Sequence, residues 1–86
     1  MASIEEVRAG IALANEKASE SIGALQQAQS QLEEAHVALQ RVTEGSSQAD
    51  VNDADAQLAQ AVSSIADLQQ MVKQAISTSE GIAARL

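Results

Sequence analysis

Residues 32–58 read LEEAHVALQRVTEGSSQADVNDADAQL, and this stretch decides the fold. Apolar residues recur every three or four positions up to Val42, stop over the segment 44–47, and resume at Val51. Steps of three and four keep one side of an α-helix against a partner helix, whereas glycine followed by serines suits a chain reversal. The stretch therefore predicts two helices joined by a short turn at Gly45.

The same spacing extends to both ends of the chain and forms two ladders. The first ladder is Ile4, Val7, Ile11, Ala14, Ala18, Ser21, Leu25, Ala28, Leu32, Ala35, Leu39 and Val42. The second ladder is Val51, Ala54, Leu58, Ala61, Ile65, Leu68, Val72, Ala75, Ser79, Ile82 and Leu86. Because a short connection makes neighbouring helices antiparallel, the ladders predict an all-α antiparallel two-helix hairpin with long helices.

Signals for the helix ends set the predicted bounds. Ser3 followed by Glu6 forms a capping box, and Gly45 is placed for the left-handed conformation that ends many helices. We predict a single domain over residues 1–86. Within it we place helix 1 at about 4–43, the turn at about 44–49 and helix 2 at about 50–85.

Pairing the ladders so that Val42 meets Val51 gives layers that combine a large residue with a small one. Near Ala18 and Ala75 both sides are small, which leaves a thin waist that buries little apolar area. We therefore expect a second hairpin to pack beside the ladders and to complete a homodimeric four-helix bundle.

The predicted dimer or partner interface consists of apolar residues outside the ladders. These residues are Ile22, Val62, Met71, Ile76 and Leu13. An alternative remains open, in which the first four close the hairpin's own seam and Leu13 is an isolated exposed aliphatic residue.

The composition argues against several classes of partner. The net charge is -7, and the chain has no Cys, Phe, Trp or Tyr. An acidic surface disfavours nucleic acids and anionic lipids, and a chain without aromatic residues is poorly suited to a small-molecule pocket. No apolar run approaches the roughly 20 residues that span a bilayer. We expect no nucleic-acid, membrane or small-molecule partner.

Two short motifs suggest chemistry at first sight. Glu33 and His36 have the Glu-x-x-His spacing of di-iron bundles, but the facing layers carry Gln57 and Gln60 in place of further carboxylates. The acidic residues between Asp50 and Asp55 suit a helix start better than a calcium loop. We expect no catalytic residues, no metal site and no cofactor, and hence no enzyme, although a metal-binding bundle remains a third hypothesis.

The first residues have neither the basic region nor the apolar core of a cleavable signal peptide. We expect a cytoplasmic protein, or one that is secreted without a classical signal peptide.

The hairpin with its small-residue break at Gly45 resembles the ESAT-6/WXG100 class of small bacterial proteins. The acidic, Ala-rich composition and the ending Gly81-Ile82-Ala83-Ala84-Arg85-Leu86 are similar to small actinobacterial proteins. Gly45 aligns with the glycine of the Trp-x-Gly turn of that class, but the chain has no Trp and no Tyr for its C-terminal Tyr-x-x-x-Asp/Glu motif. The resemblance implies a hairpin that dimerises, and it implies no functional residues.

These observations favour a non-enzymatic helical protein–protein interaction module that forms a homodimer. The alternative is a type VII secretion-associated substrate or partner protein that pairs with another helical hairpin.

Overall fold

A computed structural model of the chain describes residues 2–45 and 48–86. It contains two α-helices, α1 at Ile4–Val42 and α2 at Ala49–Arg85, which pack against each other in a rod of 63 × 18 × 16 Å. No strand occurs in the described ranges. The predicted all-α two-helix hairpin is confirmed. The predicted turn includes Ser46 and Ser47, which lie outside the described residues.

The ends of α1 are held by local hydrogen bonds. The Ser3 side chain accepts a hydrogen bond from the backbone N–H of Glu6 at 3.1 Å, as the capping box predicts. At the other end, Thr43 donates to the carbonyl of Leu39 from both its backbone N–H, at 3.1 Å, and its hydroxyl, at 2.6 Å. Gly45 follows with φ of +84°, the left-handed conformation expected of it.

The hairpin is too thin to enclose a core. Its radius of gyration is 19.4 Å, compared with about 12 Å for a compact domain of this length. Within the described ranges no residue is fully buried, so even the most enclosed side chains retain contact with solvent. The two helices by themselves therefore shield only part of their apolar surface.

One column of each predicted ladder lines the contact between the helices. Its half-buried members are Ile11, Ala18, Leu25, Leu32 and Leu39 in α1, and Val51, Leu58, Ile65, Val72 and Ser79 in α2. We call these ten residues the shared columns. Their seven-residue spacing, with large aliphatic side chains at most positions, is what holds the two helices together.

The other column of each ladder departs from the prediction. Of the eleven residues in these two columns, eight are exposed: Val7, Ala14, Ser21, Ala35, Val42, Leu68, Ala75 and Ile82, whereas Ala28, Ala54 and Ala61 are half-buried. From residue 15 onward, the residues one position later along the chain are half-buried: Asn15, Ile22, Gln29, His36 and Thr43 in α1, and Asp55, Val62, Gln69, Ile76 and Ala83 in α2. Where the earlier residue is exposed and the later one is half-buried, the contact side of each helix is rotated by roughly 50°, half the ~100° step between successive residues, relative to the prediction.

The physical reason for this rotation lies in the side chains that replace the expected ones. Gln29, His36 and Gln69 are long enough to cover apolar surface with their stems or rings while their polar ends meet a group on the other helix. Alanine at the expected positions offers little area to bury.

Substitution of two glycines tests the turn. Gly45→Ala should lower the free energy of unfolding by about 1–2 kcal/mol, because an L-residue is strained at positive φ. Gly23→Ala is the matched control in the interior of α1, where an added Cβ meets nothing within 4 Å, and it should raise the free energy of unfolding by up to about 1 kcal/mol. Urea unfolding at one fixed protein concentration measures both. A neutral Gly45→Ala variant would contradict the left-handed turn.

Candidate interaction surface

Two polar contacts cross between the helices on one side of the hairpin. The side-chain amide of Gln69 donates a hydrogen bond to the amide oxygen of Gln29 at 3.2 Å. His36 Nε2 lies 3.8 Å from Asp55 Oδ1, with both side chains about three-quarters buried. All four residues belong to the columns Asn15, Ile22, Gln29, His36, Thr43 and Asp55, Val62, Gln69, Ile76, Ala83. We call this the polar side.

The antiparallel geometry fixes what lies on the opposite side. In an antiparallel pair, columns displaced in the same rotational sense around each helix emerge on the same side of the hairpin. In each helix the polar-side residues follow the residues of the shared columns by four positions, and the polar-side columns of the two helices meet on one side of the hairpin. The residues that follow the shared columns by three positions are displaced in the opposite rotational sense. Their two columns therefore emerge together on the other side of the hairpin, and we call them the apolar face. They are Val7, Ala14, Ser21, Ala28, Ala35 and Val42 in α1, and Ala54, Ala61, Leu68, Ala75 and Ile82 in α2.

The apolar face carries large hydrophobic side chains that solvent reaches. Val42 is 82% exposed, Leu68 46% and Ile82 41%. Ser21 is the one polar residue of the face, and its hydroxyl donates to the carbonyl of Ala18 at 2.6 Å within its own helix. The face therefore offers a partner apolar surface with almost no unsatisfied hydrogen-bonding capacity.

Charged residues are placed away from the apolar face. The columns that border it are Gly10, Lys17, Ala24, Gln31 and Ala38 in α1, and Asp50, Gln57, Ser64, Met71, Thr78 and Arg85 in α2. Among the acidic residues of the two helices, only Asp50 lies in these bordering columns, although the chain is strongly acidic. The negative charge thus sits on the polar side and on the outward sides of the helices, where solvent screens it.

The five predicted interface residues do not form one surface. Ile22, Val62 and Ile76 are half-buried in the contact between the helices, on the polar side. Met71 is exposed beside the apolar face, and Leu13 is exposed on the outward side of α1. The position of the first three is the one described by the alternative in which they close the hairpin's own seam. A dimer through these five residues stays a prediction.

The apolar face is the surface that the sequence reasoning missed. Its residues were assigned to the interior of the seam because they continue the apolar ladders. The available signal was the heptad-spaced series Asn15, Gln29 and His36, opposite Asp55 and Gln69, in which polar residues on both helices can satisfy each other.

The side chains that could carry chemistry differ in their surroundings. Oδ1 of Asp55 is shielded from solvent and accepts no hydrogen bond from the described residues. Glu33 lines an open depression on the outward side of α1 together with Glu34, Val37 and Arg41. Among residues 2–45 and 48–86, no group of three or more His, Cys, Asp or Glu side chains is arranged to hold a metal ion.

No helix in the described part of the chain is both long enough and apolar enough to cross a membrane. Comparison of the chain with protein-family models, with curated proteins and with solved structures gave no match. What the apolar face does is therefore argued from its own residues.

A double-mutant cycle tests the hydrogen bond between Gln29 and Gln69. Gln69→Leu alone should cost about 1 kcal/mol of unfolding free energy, because it leaves the Gln29 amide without its partner in a half-buried position. Adding Gln29→Leu should recover this loss, since both polar groups are then removed and two leucines pack between the helices. Urea unfolding at one protein concentration measures the coupling. Strictly additive single effects would show that the two amides do not meet.

Proposed function

We propose that this chain is a non-enzymatic protein–protein interaction module whose apolar face binds another helical hairpin. The observation that carries the proposal is the rotation of the two helices. Each helix turns its apolar arc, made of a shared column and a column of the apolar face, partly away from its neighbour. The arcs of both helices turn toward the same side, so they converge on the space above the apolar face.

This rotation has a natural interpretation in four-helix packing. In an isolated pair, each apolar arc points at the single partner helix. In a square bundle, each arc points at the bundle axis, which lies about 45° from the direction to either neighbouring helix. The arcs here are turned by roughly 50° from the neighbouring helix. Two further helices lying on the apolar face would place all four arcs around one core.

The exposed area supports the same proposal. The chain exposes 6188 Å², whereas a compact monomer of its 8.9 kDa mass exposes about 4,800 Å². The difference of about 1,400 Å² falls within the roughly 1,000–2,500 Å² that each partner buries in obligate interfaces. A partner on the apolar face would also cover the open side of the shared columns, including Leu25, Leu32 and Leu39, which are only half-buried.

A non-enzymatic role is supported by the chemistry of the side chains. The single histidine, His36, lies beside the Asp55 carboxylate on the polar side, and within the described residues no hydrogen bond joins it to a serine or threonine hydroxyl. The resemblance to the ESAT-6/WXG100 class motivates an alternative in which the partner is a different hairpin of a type VII secretion system. Both versions use the same apolar face, and they differ in the identity of the partner.

Site-specific photo-crosslinking in the source cells tests this function. A benzophenone amino acid in place of Met71 stands at the border of the apolar face and should give a covalent adduct on irradiation, because the partner covers that border. The same substitution for Lys73, which lies next to the polar side of α2 and away from the apolar face, is the matched control and should give little adduct. Mass spectrometry identifies the adduct. Absence of any adduct at position 71, or equal yields at both positions, would contradict the proposed function.

A further inference from the structure

We infer that the hairpin that covers the apolar face is a second copy of this chain, packed face to face with its connecting turn at the same end of the rod. This inference rests on the proposed function and specifies its partner. It is argued from the distribution of side-chain size on the face, from the levels at which the two helices meet, and from the placement of charge.

The two halves of the apolar face differ in size. Along the middle of α1 the face is small, with Ala14, Ser21, Ala28 and Ala35 in succession. Along α2 it carries the bulky Leu68 and Ile82. A partner that fits this face needs bulk where α1 is small and space where α2 is bulky.

A two-fold axis parallel to the rod meets that requirement with the chain itself. Such an axis places α1 of each copy opposite α2 of the other, and it leaves every residue at its own height along the rod. The Gln29–Gln69 hydrogen bond and the His36–Asp55 contact together place residues 28 and 68 within about two residues, or roughly 3 Å, of the same level. Leu68 of one copy would therefore lie opposite Ala28 of the second copy.

Two heptads further toward the open end of the hairpin, the same relation recurs. Ile82 would lie opposite Ala14 of the second copy, because both positions are displaced by fourteen residues from Leu68 and Ala28. Val42 would likewise lie opposite Ala54, so that large residues face small ones at three levels, as in closely packed helices. At the two levels between them, Ser21 with Ala75 and Ala35 with Ala61, both residues are small and the helix axes can approach closely. The opposite orientation, with the turns at different ends, would set the small column of α1 against itself and leave that side underpacked.

The charge distribution makes self-association possible despite the net charge of -7. No residue of the apolar face is ionisable, and the ionisable residues of its bordering columns are Lys17, Asp50 and Arg85. The other acidic residues of the helices would remain on the outside of the bundle, where the repulsion between copies is screened by solvent and salt.

Sedimentation equilibrium of the purified chain tests the partner. We expect a dimer of twice 8.9 kDa. Ala75→Lys introduces a charge into the apolar face of both copies. At roughly tenfold for each desolvated lysine, the Kd of the dimer should rise on the order of 100-fold. Ala66→Lys, the same change at an exposed position next to the polar side of α2, is the matched control and should change the Kd by less than about threefold. Circular dichroism checks that both variants remain helical.

The orientation is tested by a distance between labels. The chain has no cysteine, so Glu44→Cys provides a single attachment site beside the turn. Electron–electron distance measurement in the dimer should give less than about 40 Å, because helices are about 10–12 Å across and the two turns are adjacent. Turns at opposite ends of a 63 Å rod would give a distance on the order of 60 Å, which would overturn the orientation.

The outcomes separate this inference from the proposed function. A chain that stays monomeric at about 100 µM, well above the Kd of stable dimers, overturns the inference. If it still gives an adduct with another protein from Met71 in cells, the proposed function stands. An equal loss of dimer in Ala75→Lys and Ala66→Lys would assign the interface to another surface.

Discussion

Two helices in contact can bury only a narrow strip of each other, and every other property of this molecule follows from that constraint. Each helix here carries three neighbouring heptad columns that are candidates for burial: a shared column of large aliphatic residues, a mostly alanine column on one flank and a polar-rich column on the other. The shared columns always contact the partner helix. The rotation of the helices decides which flank joins them. In this hairpin the polar-rich flank joins along most of the rod, and Ala28, Ala54 and Ala61 of the other flank are half-buried as well.

That choice gives the hairpin two unlike sides. On the polar side, Gln29 forms a hydrogen bond with Gln69, and His36 lies beside Asp55. Polar contacts between particular side chains therefore add to the apolar packing of the two helices. Such pairs contribute little net energy but discriminate between registers, because a slip along the rod would separate the partners. The apolar face has no such polar pair between the helices, and its one polar residue, Ser21, forms its hydrogen bond within its own helix.

The fold was predictable from the sequence because its evidence is redundant. Long uninterrupted periodicity, a capping box at Ser3 and a glycine at the break all indicate the same two helices, and the structure confirms the hairpin.

The shared columns were also predicted correctly, since Leu25, Leu32 and Leu39 have no competing assignment. The second column was predicted only in part: Ala28, Ala54 and Ala61 are half-buried, whereas its other eight residues are exposed for a physical reason. Leu32 and Leu39 are one heptad apart, and the residue between them that also faces the partner helix can follow Leu32 by three positions or by four. Ala35 and His36 are therefore both allowed by the spacing. Apolar character alone favours Ala35, whereas the polar pairing that selects His36 depends on Asp55 in the other helix. Long-range pairing of this kind is not visible in one helix's periodicity, and so the candidate site, which is the face left over, could not be located from the ladders.

The alanine content of the apolar face has a consequence for the entropy of association. Alanine has no side-chain rotamers to lose, whereas covering a leucine or isoleucine costs about 0.5–1 kcal/mol of rotamer freedom. Six of the eleven residues of the face are alanine, so much of its area can be covered without immobilising anything. Alanines at a contact also allow helix axes to approach to the lower end of the roughly 8–10 Å range. A partner bound there as proposed would bring its backbone close, and its selection would depend on the shape of the backbone more than on individual side chains.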